Sequence, residues 1–273
     1  MKTFFREKFC EECGEKYDPV SEKCPKCGRK NEAFNLNYWG MVTPLEPWRE
    51  LTLFLVGSIG FQIIGILLTL LVARFEIDEG TMKAIVNFGA YGLLAPTLGL
   101  LVWNHWPRIG RLFKDGRTYL GFAMAIALLV WNLLYGMILQ SIGIGSNDNQ
   151  EAVDSIITLY PLLSILIFGL IGPICEEITY RLGLFNVLKR WHIAAAYVLV
   201  PIVFGLIHFN FEAGLKFGTD ECLVEWLNLP NYVVSGLILC VTYDRFGLGA
   251  SSIAHISNNM FAILLPLLAK QFS

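Results

Sequence analysis

Charged side chains inside an apolar stretch mark the part of this sequence where chemistry is expected. Glu176, Glu177 and Arg181 lie in the segment 155–188, whose other residues are uncharged. An ionisable side chain at bilayer depth costs at least roughly 2.5–3.5 kcal/mol, so such residues indicate a functional site. At helical spacing Glu177 and Arg181 share a face and can form a pair, with either a supporting or a purely structural role. Glu176 points away from that face, which leaves it available for catalysis.

Two histidines in later apolar segments are the next candidates. His208 lies in one segment, and His255 lies in another with Asn259 one helical turn further on. A single histidine in an apolar helix is more often a packing residue, but three polar sites on successive segments favour function. If the chain turns near residues 191–192, Glu176 and His208 are each roughly 24 Å from the turn at 1.5 Å per residue. The sequence therefore predicts that they meet at one depth.

Together these residues supply the groups that amide hydrolysis requires: an activated water, a proton donor for the leaving amine, and donors for the oxyanion. Glu176 is the candidate base, because burial in an apolar setting makes a carboxylate more basic, and His208 can orient the same water. His255 and Asn259 can donate hydrogen bonds to the oxyanion, each worth about 3 kcal/mol. No serine or cysteine has an obvious base beside it, which disfavours a covalent nucleophile.

The same side chains also allow a metal mechanism. Glu176, His208 and His255 would then form a zinc site of two histidines and one glutamate, with one position open for water. The sequence contains no His-Glu-x-x-His helix, so we favour the mechanism without metal and leave the zinc site open. An ion or proton transporter would also carry intramembrane Glu and His, but the paired discontinuous helices of such proteins are missing from the pattern.

Composition places the chain in a membrane. Of its residues 55% are hydrophobic and 16% are charged, whereas soluble domains average roughly 25% charged. The net charge of −2 and the lack of a long basic run exclude nucleic acid as an expected partner. The predicted fold is an all-α transmembrane bundle of about seven spans. These are Leu51–Ala73, Met82–Trp103, Tyr119–Gln140, Ser155–Leu188, Ile193–Phe211, Leu223–Tyr243 and Leu248–Ala269.

Four cysteines in the polar N-terminal part predict a small metal-binding domain. They form two Cys-x-x-Cys-Gly knuckles, Cys10 with Cys13 and Cys24 with Cys27. Four thiolates at this spacing are typical of a zinc ribbon with a structural Zn²⁺, because a closed tetrahedral shell has no position left for catalysis. A redox dithiol or unrelated thiols are the alternatives. The predicted domains are a ribbon at 1–34, a linker at 35–50 and a membrane domain at 51–273.

Loop charges predict the orientation in the cell membrane. The loop 105–118 carries Arg108, Arg111, Lys114 and Arg117, whereas 141–154 carries no Lys or Arg. Positive loops stay in the cytoplasm, so the ribbon should be cytosolic, which agrees with free thiols in a reducing compartment. There it could also contact a cytosolic protein partner. The polar first residues resemble no signal peptide, so we expect the first span to direct insertion.

Three motifs in this order carry a resemblance to a known family. Glu-Glu-x-x-x-Arg at 176–181, Phe-x-x-x-His at 204–208 and His-x-x-x-Asn at 255–259 resemble the CPBP intramembrane proteases, named for CAAX proteases and bacteriocin-processing enzymes. The resemblance covers about 120–269 and implies a helical membrane protease whose cavity opens to the cytosol. It also implies that Glu176 is the base and that the substrate is a membrane-associated protein or peptide. A non-catalytic scaffold that binds partners through the bundle and the ribbon is the alternative.

Overall fold

The structure is a computed structural model that describes residues 8–10, 12–17, 23–30, 45–106, 109 and 117–269. The region from residue 45 onward is all-α, as predicted. Six of its described helices are long and apolar enough to cross a membrane. They are α1 (Pro47–Val72), α2 (Glu79–Leu101), α3 (Leu120–Ser141), α5 (Pro161–Trp191), α7 (Asp220–Phe246) and α8 (Leu248–Ala269).

Two shorter described helices, α4 (Asp148–Leu159) and α6 (Ile193–Leu206), also belong to the bundle. The predicted fifth span, Ile193–Phe211, is therefore a helix of 14 residues. At 1.5 Å per residue it is roughly 21 Å long, short of the roughly 30 Å of a bilayer core. It ends early because Asn210 starts a separate helical turn, where its side chain accepts hydrogen bonds from the backbone N–H groups of Glu212 and Ala213.

The predicted fourth span, Ser155–Leu188, is divided between two helices. Its first residues belong to α4, and α5 begins only at Pro161. Tyr160 has φ −134° and ψ 63°, because a residue before proline is pushed out of the helical region. The membrane-crossing helix consequently starts later and runs to Trp191, close to the predicted turn.

The segment of α5 that carries the paired charges is a π-helix. It runs from Glu177 to Phe185, and all nine of its residues are buried. Helix α1 packs against it with close backbone contact: a Cβ on Gly183 would lie 3.0 Å from the Glu50 carbonyl oxygen and from the Phe54 nitrogen. π-Helical segments are rare in proteins. Where they occur within α-helices, they frequently lie at functional sites. Among the described candidate spans, the one that carries the sequence motif has the largest buried share.

Ionic contacts fix the C-terminal end of α5. Arg190 donates from Nε and a terminal nitrogen to the two carboxylate oxygens of Glu50, at 2.8 and 2.9 Å. Lys189 pairs with Asp244, whose other oxygen accepts a hydrogen bond from the Tyr197 hydroxyl at 2.7 Å. A bidentate pair with a buried carboxylate is among the stronger ionic contacts. It holds α5 to α1 near one end of the bundle.

The N-terminal part forms two matching hairpin knuckles. The strands β1 (Lys8–Phe9) and β2 (Lys16–Tyr17) pair antiparallel around the first knuckle, and a bridge between Lys23 and Lys30 closes the second. The glycine after each cysteine pair has a positive φ, 66° at Gly14 and 73° at Gly28, as a turn toward sulfur requires. Most of the predicted linker lies outside the described residues, and so do Arg108, Arg111 and Lys114.

Candidate active site

A cavity of about 400 Å³ lies between the long helices. Four residues predicted to take part in catalysis line it: Glu176 from α5, His208 from the turn after α6, and His255 and Asn259 from α8. The structure therefore brings together side chains that are up to 83 positions apart, from 176 to 259. Their distances and partners determine what each of them can do.

Glu176 has one carboxylate oxygen held and the other directed toward a histidine. The Tyr91 hydroxyl donates a hydrogen bond to Oε1 at 2.8 Å. Oε2 lies 3.6 Å from Nε2 of His255, and the side chain is 15% exposed. Glu176 is thus the more accessible of the two adjacent glutamates, with a neutral donor as its hydrogen-bond partner.

Glu177 and Arg181 are fully buried and form the predicted ion pair, with 3.1 Å between Oε1 and a terminal guanidinium nitrogen. The same oxygen lies 3.0 Å from Nδ1 of His255. Because an ionised carboxylate only accepts, Nδ1 must carry the proton, and Nε2 is the His255 nitrogen that remains for the cavity. Arg181 also lies 4.5 Å over the Phe204 ring. The pair therefore orients His255 as well as the helix.

His208 is held on two sides. Its Nδ1 lies 2.9 Å from the Phe204 carbonyl oxygen, which only accepts, so Nδ1 carries the proton and Nε2 presents a lone pair. Its ring stacks on Tyr232, with 4.5 Å between centroids and 13° between planes. In the described region His208 and Glu176 share the cavity without a direct hydrogen bond. A water between them would be needed to connect the two side chains.

Asn259 belongs to a row of polar side chains along one wall. It donates from Nδ2 to the Phe168 carbonyl oxygen at 3.1 Å and accepts from Asn258 at 3.4 Å. Asn258 in turn accepts from Asn132, which accepts from Ser235. Since an amide group has two N–H donors, Asn259 retains one for a ligand.

Two aromatic residues of the site were missed by the sequence analysis. Tyr91 contacts Glu176, and Tyr232 stacks on His208. Both lie in apolar helices, where a tyrosine is indistinguishable from a packing residue by spacing alone. The available signal was the hydroxyl group, because a buried tyrosine usually finds a hydrogen-bond partner.

The N-terminal cysteines fit a zinc ion. Within the described residues, the only group of three or more potential His, Cys, Asp or Glu ligands with all donor atoms within 4.8 Å of one another is Cys10, Cys13, Cys24 and Cys27. Sulfur pairs in a tetrahedral zinc site lie roughly 3.8 Å apart, and Cys10–Cys27 and Cys13–Cys24 are at 3.5 and 3.6 Å. Backbone hydrogen bonds, first that of the Cys13 N–H, lower the pKa of the Cys10 thiol to about 6, whereas burial and the neighbouring thiols raise the pKa of Cys13 and Cys27. Glu176, His208 and His255 do not converge in this way, so their arrangement does not fit a preformed zinc site.

Comparison with known proteins finds a family match over the part of the chain that carries the site. Residues 158–261 match the family described as type II CAAX prenyl endopeptidase Rce1-like. This part of the chain is therefore similar to the Rce1-like endopeptidases. The match confirms the resemblance drawn from the three motifs and includes Glu176, Glu177, Arg181, His208, His255 and Asn259. The roles of the individual residues still rest on their geometry.

Two curated proteins are similar to parts of this chain. An uncharacterized protein of Mycoplasma capricolum subsp. capricolum is 24% identical over 173 residues, covering 58% of this chain and 47% of the relative. A Bacillus subtilis protein named "Putative membrane peptidase YdiL" is 27% identical over 128 residues, 46% of each protein. The chain thus spans about half the length of the curated relatives it matches. No solved structure matches it significantly.

Proposed function

We propose that this protein is an intramembrane endopeptidase that hydrolyses peptide bonds of membrane-associated proteins or peptides. The observation that carries the proposal is the convergence of Glu176, His208, His255 and Asn259 on one cavity inside a bundle of apolar helices. The family match supports the reaction type, because these residues lie within the Rce1-like region.

The reaction begins with a water molecule between Glu176 and His208. The lone pair on Nε2 of His208 accepts a hydrogen bond from this water, and Glu176 removes the other proton as the oxygen attacks the carbonyl carbon. Tyr91 keeps one carboxylate oxygen in place at 2.8 Å. When the tetrahedral intermediate collapses, Glu176 returns the proton to the leaving amine nitrogen, so the carboxylate is regenerated.

The oxyanion is bound by His255 and Asn259. The ring of His255 lies between the carboxylates of Glu176 and Glu177. With both ring nitrogens protonated, its Nε2–H donates a hydrogen bond to the developing charge. The spare N–H of Asn259 is the second donor. Glu177 and Arg181 support this arrangement from behind, because Glu177 fixes Nδ1 of His255.

Around this centre we propose the membrane arrangement predicted from the loop charges, with the N-terminal ribbon in the cytosol. Cys10, Cys13, Cys24 and Cys27 would hold a structural Zn²⁺, whose bonds to four thiolates stabilise the two knuckles. The ribbon then offers a surface for a cytosolic protein partner, and the bundle contacts lipid and the membrane-associated substrate.

The test compares cells that produce the wild-type protein with cells that produce Glu176→Gln. Peptides in the membrane fraction are identified by mass spectrometry, and Glu212→Gln, at a carboxylate whose side chain is 85% exposed, is the matched control. We expect a substrate to accumulate and its fragment to disappear only in Glu176→Gln, with unchanged abundance of the protein. Identical profiles in all three would overturn the protease and favour a scaffold.

A further inference from the structure

A buried carboxylate on α7 has no part in the mechanism above. Glu225 is 1% exposed. Its Oε1 accepts a hydrogen bond from the backbone N–H of Asp148 at 3.1 Å, and its Oε2 accepts one from the backbone N–H of Asn210 at 3.0 Å. Burying a carboxylate is costly unless donors compensate it, and charge-assisted hydrogen bonds of this kind are strong. Glu225 therefore ties the first residue of α4 and the turn after α6 to α7.

Asn147 extends this contact to the backbone of His208. It is 2% exposed, and its Nδ2 donates to the His208 carbonyl oxygen at 2.9 Å and approaches Oε2 of Glu225 at 3.4 Å. Its Oδ1 accepts from the Tyr232 hydroxyl at 3.1 Å. Because Tyr232 also stacks on the His208 ring, one network constrains both the backbone and the ring of that histidine.

His208 needs such support because it lies beyond the regular helix. Helix α6 ends at Leu206, and the next hydrogen bonds, from the His208 N–H to the Gly205 carbonyl and from the Phe209 N–H to the Leu206 carbonyl, close tighter turns. Carbonyl groups at the end of a helix have no partner within it. The Asn147 amide supplies that partner for the carbonyl of His208.

We propose that Glu225, acting through Asn147 and Tyr232, is a positioning residue that sets where His208 meets the catalytic water. The proposal rests on the role given to His208 above. Neither Glu225 nor Asn147 is among the described residues that line the cavity, so their effect on the reaction is transmitted through His208. A displacement of about 1 Å in such a group can lower a rate on the order of 100-fold.

The experiment observes His208 directly and measures cleavage in parallel. The chain has four histidines, so in protein labelled with ¹⁵N-histidine the His208 ring signals are assigned by their loss in His208→Gln. Glu225→Gln is the test variant, because its amide group places a donor against one of the two backbone N–H groups. Glu221→Gln, one turn earlier on α7 with a side chain that is 64% exposed, is the matched control.

We expect Glu225→Gln to move the His208 ring signals and to lower cleavage about 10- to 100-fold, while Glu221→Gln changes neither. Cleavage is measured with fluorescently labelled casein and with the membrane-peptide comparison. Asn147→Ser removes the amide donor but keeps an N-cap oxygen for α4. Tyr232→Phe removes the hydroxyl but keeps the ring stack. Both should shift the His208 signals as well, and they decide the question if Glu225→Gln does not fold.

Unchanged His208 signals in Glu225→Gln or in both other variants would overturn the proposal. So would wild-type cleavage in a variant whose His208 signals have moved. Failure of the proposed function is a separate result, since it is reported by Glu176→Gln retaining cleavage, whereas the His208 signals report positioning whether or not Glu176 is the base.

Discussion

Replacing Glu177 should separate its contribution to folding from its contribution to catalysis. The carboxylate and the Arg181 guanidinium are both fully buried and 3.1 Å apart. Removing one member of a buried pair leaves an uncompensated charge, which costs about 3–5 kcal/mol. We therefore expect Glu177→Leu to lower the free energy of unfolding by about that amount. Arg181→Met should be destabilising for the same reason.

The double variant Glu177→Leu/Arg181→Met should regain part of this stability. It buries no unpaired charge, and the loss that remains is the unsatisfied Nδ1–H of His255, which costs about 1–3 kcal/mol. Cleavage should nevertheless stay at least about 100-fold below wild type, because His255 has lost the group that orients it. Unfolding is followed by helical circular dichroism in detergent with increasing dodecyl sulfate, and activity is measured on the same samples.

Two results would refute this reasoning. If Glu177→Leu is as stable as the wild type, the buried pair does not hold the π-helical segment together. If the double variant cleaves at the wild-type rate, Glu177 does not orient His255. A double variant that is stable but inactive is the expected outcome and assigns both roles to one carboxylate.

Three further predictions follow from the site and the ribbon. Tyr91→Phe should lower the cleavage rate about tenfold or more, because Glu176 loses a hydrogen bond to a charged group that is worth about 1.5–3 kcal/mol; a wild-type rate would remove Tyr91 from the mechanism. His255→Ala should retain about 10⁻² to 10⁻³ of the activity as an oxyanion donor. To check that His255 is not a metal ligand, the metal content is measured in protein with all four ribbon cysteines changed to serine. If this protein binds metal and His255→Ala removes it, the mechanism without metal is wrong. Cys24→Ser alone should remove about one zinc per chain from the full-length protein, and unchanged zinc content would contradict the ribbon.

The parts of the site that could be predicted are those encoded by local spacing. Glu177 and Arg181, or His255 and Asn259, are four residues apart, and helical geometry places such pairs together whatever the rest of the chain does. The two knuckles are local in the same way. Helix positions followed from long apolar runs, and the turn near Trp191 followed from the charges and the break in that pattern.

The side-chain contacts that could not be predicted are those between residues on different helices, because the sequence pattern does not show which helices become neighbours. Tyr91 and Glu176 are 85 residues apart, and Asn147 and Glu225 are 78 apart. Periodicity carries no information about such pairs. The short α6 was also misjudged, because hydropathy continues through residues 207–211 while the backbone leaves the helix to place Asn210 against Glu225. The sequence did contain a signal of this contact, because Glu225 lies inside the predicted span Leu223–Tyr243 and carboxylates are rarely buried without partners.

The charges at the site explain why two adjacent glutamates behave differently. The proposed oxyanion role requires both ring nitrogens of His255 to be protonated. The carboxylates of Glu176 and Glu177 then balance one guanidinium and one imidazolium, so the cluster is neutral. Glu177 is fully buried and paired, which fixes its proton state. Glu176 faces the cavity and can accept a proton from water.

As Glu176 accepts that proton, negative charge appears on the oxyanion beside His255, and the total charge of the cluster does not change. The same sum of charges explains the stability expected of the double variant Glu177→Leu/Arg181→Met. Glu177→Leu alone leaves one excess positive charge, Arg181→Met alone leaves one excess negative charge, and together they leave Glu176 balanced by His255. If neutrality governs folding here, the order of stability should be wild type, then double variant, then either single variant. A double variant less stable than both single variants would show that packing around Glu177 and Arg181, rather than charge balance, determines the stability of the helix.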